Sequence, residues 1–510
     1  MRESRLVGAL ALTAAVTGCS VGPDYHPPFL SMPAGFLGPS DQKTERSATA
    51  PADLTQWWRS LHDTELNGLE DRALQANFDL EVALDRIQQA RAAIVVIANA
   101  ALPVGGVTAG ASYGTGSNET TSNVAPPLRG AEDRPGFKSL QDAAGFEANW
   151  DLDLFGRVRR EVEAQIYDVE ALKAARDWVA VVVTSDVARD YLDMRGLQAQ
   201  LAVLEKNIEV AKSGETLQQT RFDRGLTNEL DVALAKRELA TLQAQTSPFV
   251  AQIDARRHAI AVLLGQYPED LVKELARPGP FPALPRRVPT GAPVDLLRRR
   301  PDVAEAERRV AQATARVGVA VAALFPDVFL NGGAGAEGGT PASATAKPMT
   351  WIGSIASGVY WPLLDFGALD AQIEIADYAT RGQLAEYKQS IVTAVQQVDD
   401  ATASFRAQEE TLRSLDRAVS AALLSTRLAG DRYDRGLTDY LNVLDAERQQ
   451  FALQQEYVLA EQIEGESLVG LYKALGGGWE PGAVLPPIRT PQPAAIAVTR
   501  YLPGSPSGVR

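Results

Sequence analysis

The amino-acid sequence predicts an α+β membrane protein: long antiparallel coiled-coil helices joined to four transmembrane β-strands per chain, arranged as an internal two-fold repeat. Three observations predict it. The first is a duplication. NWDLDLFG, with Trp150, Phe155 and Gly156, recurs as YWPLLDFG, with Trp361, Phe366 and Gly367. RFDRGLTNELDV from Arg221 recurs as RYDRGLTDYLNV from Arg432, and Leu264-Gly265 recurs as Leu475-Gly476. The shared offset, 361 − 150 = 432 − 221 = 475 − 264 = 211, marks a repeated structural unit. The second observation is a sustained heptad and the third is a set of alternating segments of about ten residues.

The N-terminus comes first. Arg2 and Arg5 precede an apolar run, Leu6 to Val16, that is too short to span a bilayer. With Val16-Thr17-Gly18-Cys19 after it, the segment resembles a bacterial lipoprotein signal peptide with its lipobox. Cys19 is the only cysteine, so no intrachain disulfide can form. Its expected role is to carry lipid after cleavage; the alternative is a free thiol in a cytosolic chain. Ser20 in place of Asp, by resemblance to the lipoprotein sorting pattern, favours the bacterial outer membrane. The chain then divides into a cleaved signal (1–18), a lipidated N-terminal segment (19–62), two repeats (63–275 and 276–478) and a Pro-rich tail (479–510).

Composition excludes several classes. With 510 residues, 45% hydrophobic and 22% charged, the chain can bury a large core, yet no segment after the signal approaches the roughly 18 apolar residues of a spanning helix. A net charge of −14 argues against a nucleic-acid partner. The three histidines, at 26, 62 and 258, sit in unrelated contexts, and HExxH and P-loop patterns are absent from the sequence. No catalytic or metal-ligating set is therefore expected, and no cofactor beyond covalent lipid on Cys19. Gly476 to Gly478 follow a helical pattern instead of opening one, so they read as a helix stop.

The helices are rods. Leu384, Ile391, Val398, Phe405, Leu412 and Val419 fall at seven-residue steps, and one repeat earlier stand Lys173, Ala180, Val187, Met194, Leu201 and Ile208. A strict seven-residue stripe implies a left-handed supercoil. Each unit turns at Arg-Gly-Leu-Thr and returns as one helix, near Asn228 to Leu264 and Tyr440 to Leu475. Gly225 and Gly436 stand where such a turn needs positive φ. A helix of about 55 residues would be roughly 80 Å long. A solid coiled-coil bundle would explain the heptads alone.

Between the helices lie strands. Phe146, Ala148, Trp150, Leu152 and Leu154 alternate with Glu147, Asn149, Asp151 and Asp153. Val107, Ala109, Ala111 and Tyr113 alternate with Thr108, Gly110 and Ser112, while the second unit offers Val328, Leu330, Gly332 and Ala334, then Trp351, Ile355, Val359, Trp361 and Leu363. The predicted strands are about 104–116, 141–154, 327–336 and 350–364, with 114–140 and 335–350 as hairpin loops. Four strands cannot close a barrel, and an open edge in lipid leaves backbone groups unpaired at several kcal/mol each. Closure must come from other copies. Two would give eight strands and a filled interior, three would give twelve and a lumen. An amphipathic hairpin on a soluble helical protein is the other reading. Arg298 to Arg300 precede Pro301-Asp302, which reads as a helix start with the arginines paired to nearby acids, in preference to a phosphate or lipid site.

Nearly the whole mature chain carries a family resemblance: Cys19 with VGPDYHPP, Gln56-Trp57-Trp58, Asn77-Phe78-Asp79-Leu80, LLRRRPDV at 296–303, RYDRGLTDYLNVLDAE at 432–447 and LYKALGGGW at 471–479. It resembles a TolC-like outer-membrane factor, the lipoprotein outer-membrane channel of RND-type multidrug efflux systems (NodT-like). The resemblance implies a homotrimer with a twelve-stranded β-barrel in the outer membrane and an α-barrel across the periplasm. It also implies two partners, a periplasmic adaptor (membrane fusion protein) and an inner-membrane RND-type pump. The adaptor would dock at the turns Arg224-Gly225-Leu226-Thr227 and Arg435-Gly436-Leu437-Thr438. By motif position, Tyr433 matches a tyrosine of the closing network, Asp445 a pore-facing acid of the constriction and Leu441 an apolar ring. Asp434 departs from a pattern that has a basic residue there, which passes the ion-pairing role to Arg432 or Arg435. An outer-membrane component of a type I secretion or metal-efflux system shares this fold. A periplasmic coiled-coil scaffold without a pore is the reading from another class.

Overall fold

The computed structural model describes residues 20–30, 32–33, 35–36, 54–116, 137–285, 288, 299–340 and 347–479. Cys19, Arg298, the signal 1–18 and the tail beyond Trp479 lie outside them. A short 3-10 turn, Trp57–Leu61, leads into α1 (Thr64–Ala76) and α2 (Phe78–Asn99). Then come β1 (Val104–Gly116), β2 (Phe137–Leu152), α3 (Arg157–Asp223), α4 (Glu229–Ala244), α5 (Thr246–Leu263) and α6 (Pro268–Val272). The second unit holds α7 (Pro301–Ala322), β3 (Asp327–Thr340), β4 (Lys347–Tyr360), α8 (Ala368–Asp434) and α9 (Tyr440–Ala474).

The helices differ from expectation in three respects. First, α3 and α8 each span 67 residues, about 100 Å, because helix begins immediately after the strands at Gly156 and Gly367. Second, the return of the first unit is broken between α4 and α5, whereas α9 is continuous over 35 residues. Pro248 is the reason: it removes a helical N–H and its ring crowds the carbonyl four residues back, at Ala244. Third, the buried seam leaves the strict heptad. Ile391, Val398 and Phe405 are buried, but the next buried positions are Leu415 and Ala422. The step from Phe405 to Leu415 is ten residues, a heptad with three inserted, which locally overwinds the coil, whereas in α3 both Leu197 and Leu204 are buried after Met194. Among the described residues no helix is long and apolar enough to cross a membrane.

The four strands form one antiparallel sheet in the order β1-β2-β3-β4. Pairing of Val107 with Phe146, Phe146 with Ala334, and Leu330 with Ser357 puts the sequence-predicted apolar sets of all four strands on a single face. Strand bounds shift from expectation: β2 and β4 start earlier and end earlier, and β3 runs to Thr340. The early ends have a cause. Asp153 accepts from the amides of Val158 and Arg159 at 3.1 Å, and Asp365 accepts from that of Leu369 at 2.8 Å, so these acids satisfy helix N-termini instead of extending strands. Among the described residues the outer edges of β1 and β4 have no partner.

A belt around the middle of the rods holds the main core. Trp58, Leu66, Leu69, Tyr191, Leu192, Ile260 and Leu468 are buried there, and Trp57 stacks on Tyr472 at 4.6 Å. The repeat closes on itself in both units. Gly265 (φ +67°) at the end of α5 abuts Ala76, and Gly476 (φ +73°) at the end of α9 abuts Arg299; a Cβ would lie 2.4 and 2.8 Å from the respective carbonyl oxygens. These carbonyls immediately precede the N-caps Asn77 and Arg300. Arg300 is buried, lies 5.1 Å from the Trp178 ring and pairs with Asp302 at 2.6 Å, as the helix-start reading of the arginine run requires. Trp150 and Trp361 each donate their indole N–H to the chain just before the first strand of their unit, at Ala101 (2.9 Å) and Leu324 (3.1 Å).

Candidate functional site

The sequence-predicted residues gather at one end of the rods, where both hairpins turn. Each turn is a Schellman motif. Gly225 donates to the Phe222 carbonyl at 2.8 Å and Leu226 to that of Arg221 at 2.8 Å; Gly436 and Leu437 repeat this with Tyr433 and Arg432 at 2.9 Å. The glycines have φ of +70° and +71°, a left-handed conformation that costs other residues about 1–2 kcal/mol. Leu226, Leu230, Leu437 and Leu441 point into solvent. Both turns thus carry exposed leucines at equivalent positions.

Below the turns the two hairpins diverge. Aligned by the offset of 211, Gln218, Phe222, Glu229, Asp231, Leu234 and Lys236 answer Ala429, Tyr433, Tyr440, Asn442, Asp445 and Glu447. Asp231 and Asp445 are therefore not equivalent positions. The first turn is firmly capped: Asn228 accepts from the Asp231 amide at 3.0 Å, and the Thr227 hydroxyl donates to the Asp231 carboxylate. In the second, the N-cap Asp439 makes no side-chain capping bond, and Thr438 only accepts from Asn442 at 2.8 Å.

Tyr433 is half-buried and faces the first hairpin. Its hydroxyl donates to Gln218 Oε1 at 3.1 Å, and the Arg221 guanidinium lies 4.6 Å from its ring centroid. Tyr440, 5.8 Å away ring to ring, is buried with Val443, Leu444 and Ala235 in the apolar cluster of this end. Burial, with Glu447 nearby, pushes its hydroxyl up to about 12. Further along, Arg448 pairs with Glu238 between α9 and α4, and burial beside Glu238 raises Glu447.

The remaining predicted residues are exposed within one chain: Arg432, Asp434, Arg435, Leu441 and Asp445. Among the described residues, Arg432, Asp434, Arg435 and Asp445 form no ion pair, so the chain by itself joins neither arginine to an acid. Sequence reasoning missed Gln218, Arg221, Tyr440 and the Arg448–Glu238 pair. A position-by-position comparison of the repeats carried part of the signal, since Gln218, Tyr440 and Glu238 answer Ala429, Glu229 and Gln449, whereas Arg221 and Arg448 answer arginines, Arg432 and Arg237.

The profile of the family described as outer membrane efflux protein matches residues 69–266 and 292–477, one stretch per repeat. Nodulation protein T of Rhizobium leguminosarum bv. trifolii is 29% identical over 471 residues, covering 92% of this chain and 96% of that protein. The toluene efflux pump outer membrane protein TtgC of Pseudomonas putida is 30% identical over 476 residues, covering 92% and 95%. The solved outer-membrane channel OprN superimposes with a TM-score of 0.79 at 34% identity, over 91% of this chain and all of that one.

Proposed function

This chain belongs to the outer membrane efflux protein family, and from that premise we propose that three copies form a passive, gated exit duct across the outer membrane and periplasm. The observation that carries the reading is the sheet: four strands with one apolar face and two edges unpaired among the described residues, continuous with rods of about 100 Å. Three such sheets make twelve strands, which close the edges and leave a lumen. The chain also offers a matching flank for a neighbour. α7 covers one flank of α3, and its repeat equivalent, α2, would cover the corresponding bare flank of α8 in the next copy.

The N-terminal segment supports lipid on Cys19. Val21 donates to the Phe155 carbonyl at 3.3 Å, and Arg160 binds the Val21 carbonyl at 2.9 Å and Asp24 at 2.8 Å. These contacts hold the segment at the strand–helix junction, where the membrane boundary would lie. Energy would come from an inner-membrane RND-type pump, and a periplasmic adaptor would dock at the two Arg-Gly-Leu-Thr turns and prefer the splayed form. The duct needs only a difference in adaptor affinity between closed and open states. Acids at the mouth, including Asp434 and Asp445, favour cations, which reversal potentials under a salt gradient would register. Asp445→Ala combined with Tyr433→Phe should raise ion conductance in planar bilayers; unchanged conductance removes these residues from the gate.

A further inference from the structure

We propose that Asp193 of α3 and Glu466 of α9 share one proton across the belt and so form a pH-dependent clasp, which seats the belt end of α9 on α3 when protonated and lets it stand off when not. The pair lies about 39 Å along α9 from Tyr440, far from the turns. It stands apart from the duct reading and goes beyond it.

Three carboxyl groups meet one guanidinium here. The Gln462 amide Nε2 donates to Asp193 Oδ1 at 3.2 Å and to Glu466 Oε1 at 3.1 Å, so one nitrogen gathers acids from two helices. Its Oε1 accepts from Gln200 Nε2 at 2.9 Å, which turns the donor edge towards the acids. Asp190 and Asp193, 6 % and 4 % exposed, both reach Arg256 of α5, at 2.9 and 3.4 Å. Two further cations are committed elsewhere, since Arg189 and Lys473 lie 3.1 and 3.8 Å from Asp186. α8 presents Ser404, bonded to Ser467 at 3.2 Å, and its Glu409 acts on Glu464; the segment after α6 offers the Phe281 ring, beside Gly465. With every carboxyl ionised, three anions would face one cation, two of them out of water, and one shared proton removes that cost. Burial first and Asp193 next push Glu466 up to about 7.

Charge, not bulk, sets the spacing at this crossing. Gly196 of α3 faces Gln462, where a Cβ would lie 2.6 Å from Oε1, and a Cβ on Gly465 would lie 3.2 Å from Leu192 Cδ1, so the two helices meet through small residues. The offset of 211 carries Asp190, Asp193, Gln462 and Glu466 onto Ala401, Ser404, Ala251 and Ala255, so the clasp belongs to the α3–α9 crossing and has no copy in the other half of the repeat. A released Glu466 titrates at its ordinary value of 4.5 and a clasped one at about 7, so the clasp is at full strength below the first value and loses its proton-linked part as pH rises to the second. The seating of the second hairpin thus follows the pH around the belt.

The test is hydrogen–deuterium exchange of the full-length protein in detergent, corrected for the intrinsic pH dependence of amide exchange. Protection of α9 peptides around Gln462 and Glu466 should fall about tenfold between about pH 5.5 and 7.5, after allowance for solvent screening, while peptides at the Tyr440 end stay level. Glu466→Gln, whose amide bonds Asp193 without a titrating proton, should hold acid-level protection at both pH values. Asp193→Asn, which removes one of the three anions, should flatten the profile as well. Wild-type protection that does not change with pH overturns the clasp, and so does a Glu466→Gln profile that falls as the wild type's does. If Glu466→Gln loses the heat-resistant trimer, Asp193→Asn alone decides: a flat profile supports the clasp and a wild-type fall overturns it. Exchange is read whether or not the protein conducts, so failure of the duct reading would leave the clasp standing, and failure of the clasp would leave the duct.

Discussion

α3 and α8 have the same length and end in the same turn, but one is enclosed and the other is bare. α3 packs against α1, α2, α4, α5, α7 and α9, whereas α8 packs chiefly against α7 and α9. Equivalent positions show the consequence. Val181 is 0 % exposed and Ala164 5 %, while their counterparts Val392 and Ile375 are 63 % and 68 % exposed. Phe155 stacks on Phe325 at 4.7 Å, and its counterpart Phe366 is 96 % exposed. A duplicated sequence keeps its apolar positions in both copies, but a single chain has a neighbour for only one of them. The bare flank of α8 is the place where the next copy is needed.

That comparison can be broken most severely at the bare flank. Val392→Asp should abolish the heat-resistant trimer on gels while circular dichroism of the protomer stays helical; an intact trimer would mean that the flank faces water. Belt against tip is the next largest contrast. Gly265→Ala combines a left-handed φ with a Cβ 2.4 Å from the Ala76 carbonyl, so denaturant midpoints should show a loss of about 3 kcal/mol. Gly436→Ala meets open space and should cost about 1 kcal/mol. Equal losses would show that the tip is as tightly determined as the belt.

A pH series sharpens the contrast within the belt. Glu466 on α9 is pushed up to about 7, first by burial and then by Asp193 of α3, with Asp190, Arg256 and Gln462 around them. A carboxyl raised above its unfolded value near 4.5 stabilises fully below that value. Stability then declines as pH rises towards 7 and is flat beyond it. Glu466→Gln should flatten thermal midpoints between pH 5 and 8, by an amount that solvent screening keeps modest. The smallest effect belongs to the exposed pair Arg413–Glu410 on α8, where Arg413→Ala should move stability by less than about 0.5 kcal/mol.

Much of this was legible beforehand because it is periodic or local. The offset of 211 located the strand-to-helix junctions at Gly156 and Gly367, the turns and the closing Leu-Gly pairs, while alternation located the strands and side-chain parity put the apolar set on one face. The turn glycines followed from backbone sterics alone. The α4–α5 break was also written in the chain, at Pro248, but the repeat pattern masked it. The seam's extra three residues at Leu415 were not legible, because Leu412 and Val419 are as apolar as the residues that are buried.

The candidate site was half legible. Tyr433 and Asp445 stand out by motif position, but nothing in the spacing says that Tyr433 faces Gln218, 215 residues away in the chain. By itself the sequence determined the repeat, the rods, the strand faces and the turns, since each depends on a residue's own backbone preference and its near neighbours. Tertiary structure alone decided which of two equivalent helices is enclosed, which hairpin supplies the tyrosine's acceptor, and which carboxyl is raised. Those properties depend on packing between distant segments, where identical patterns meet different surroundings.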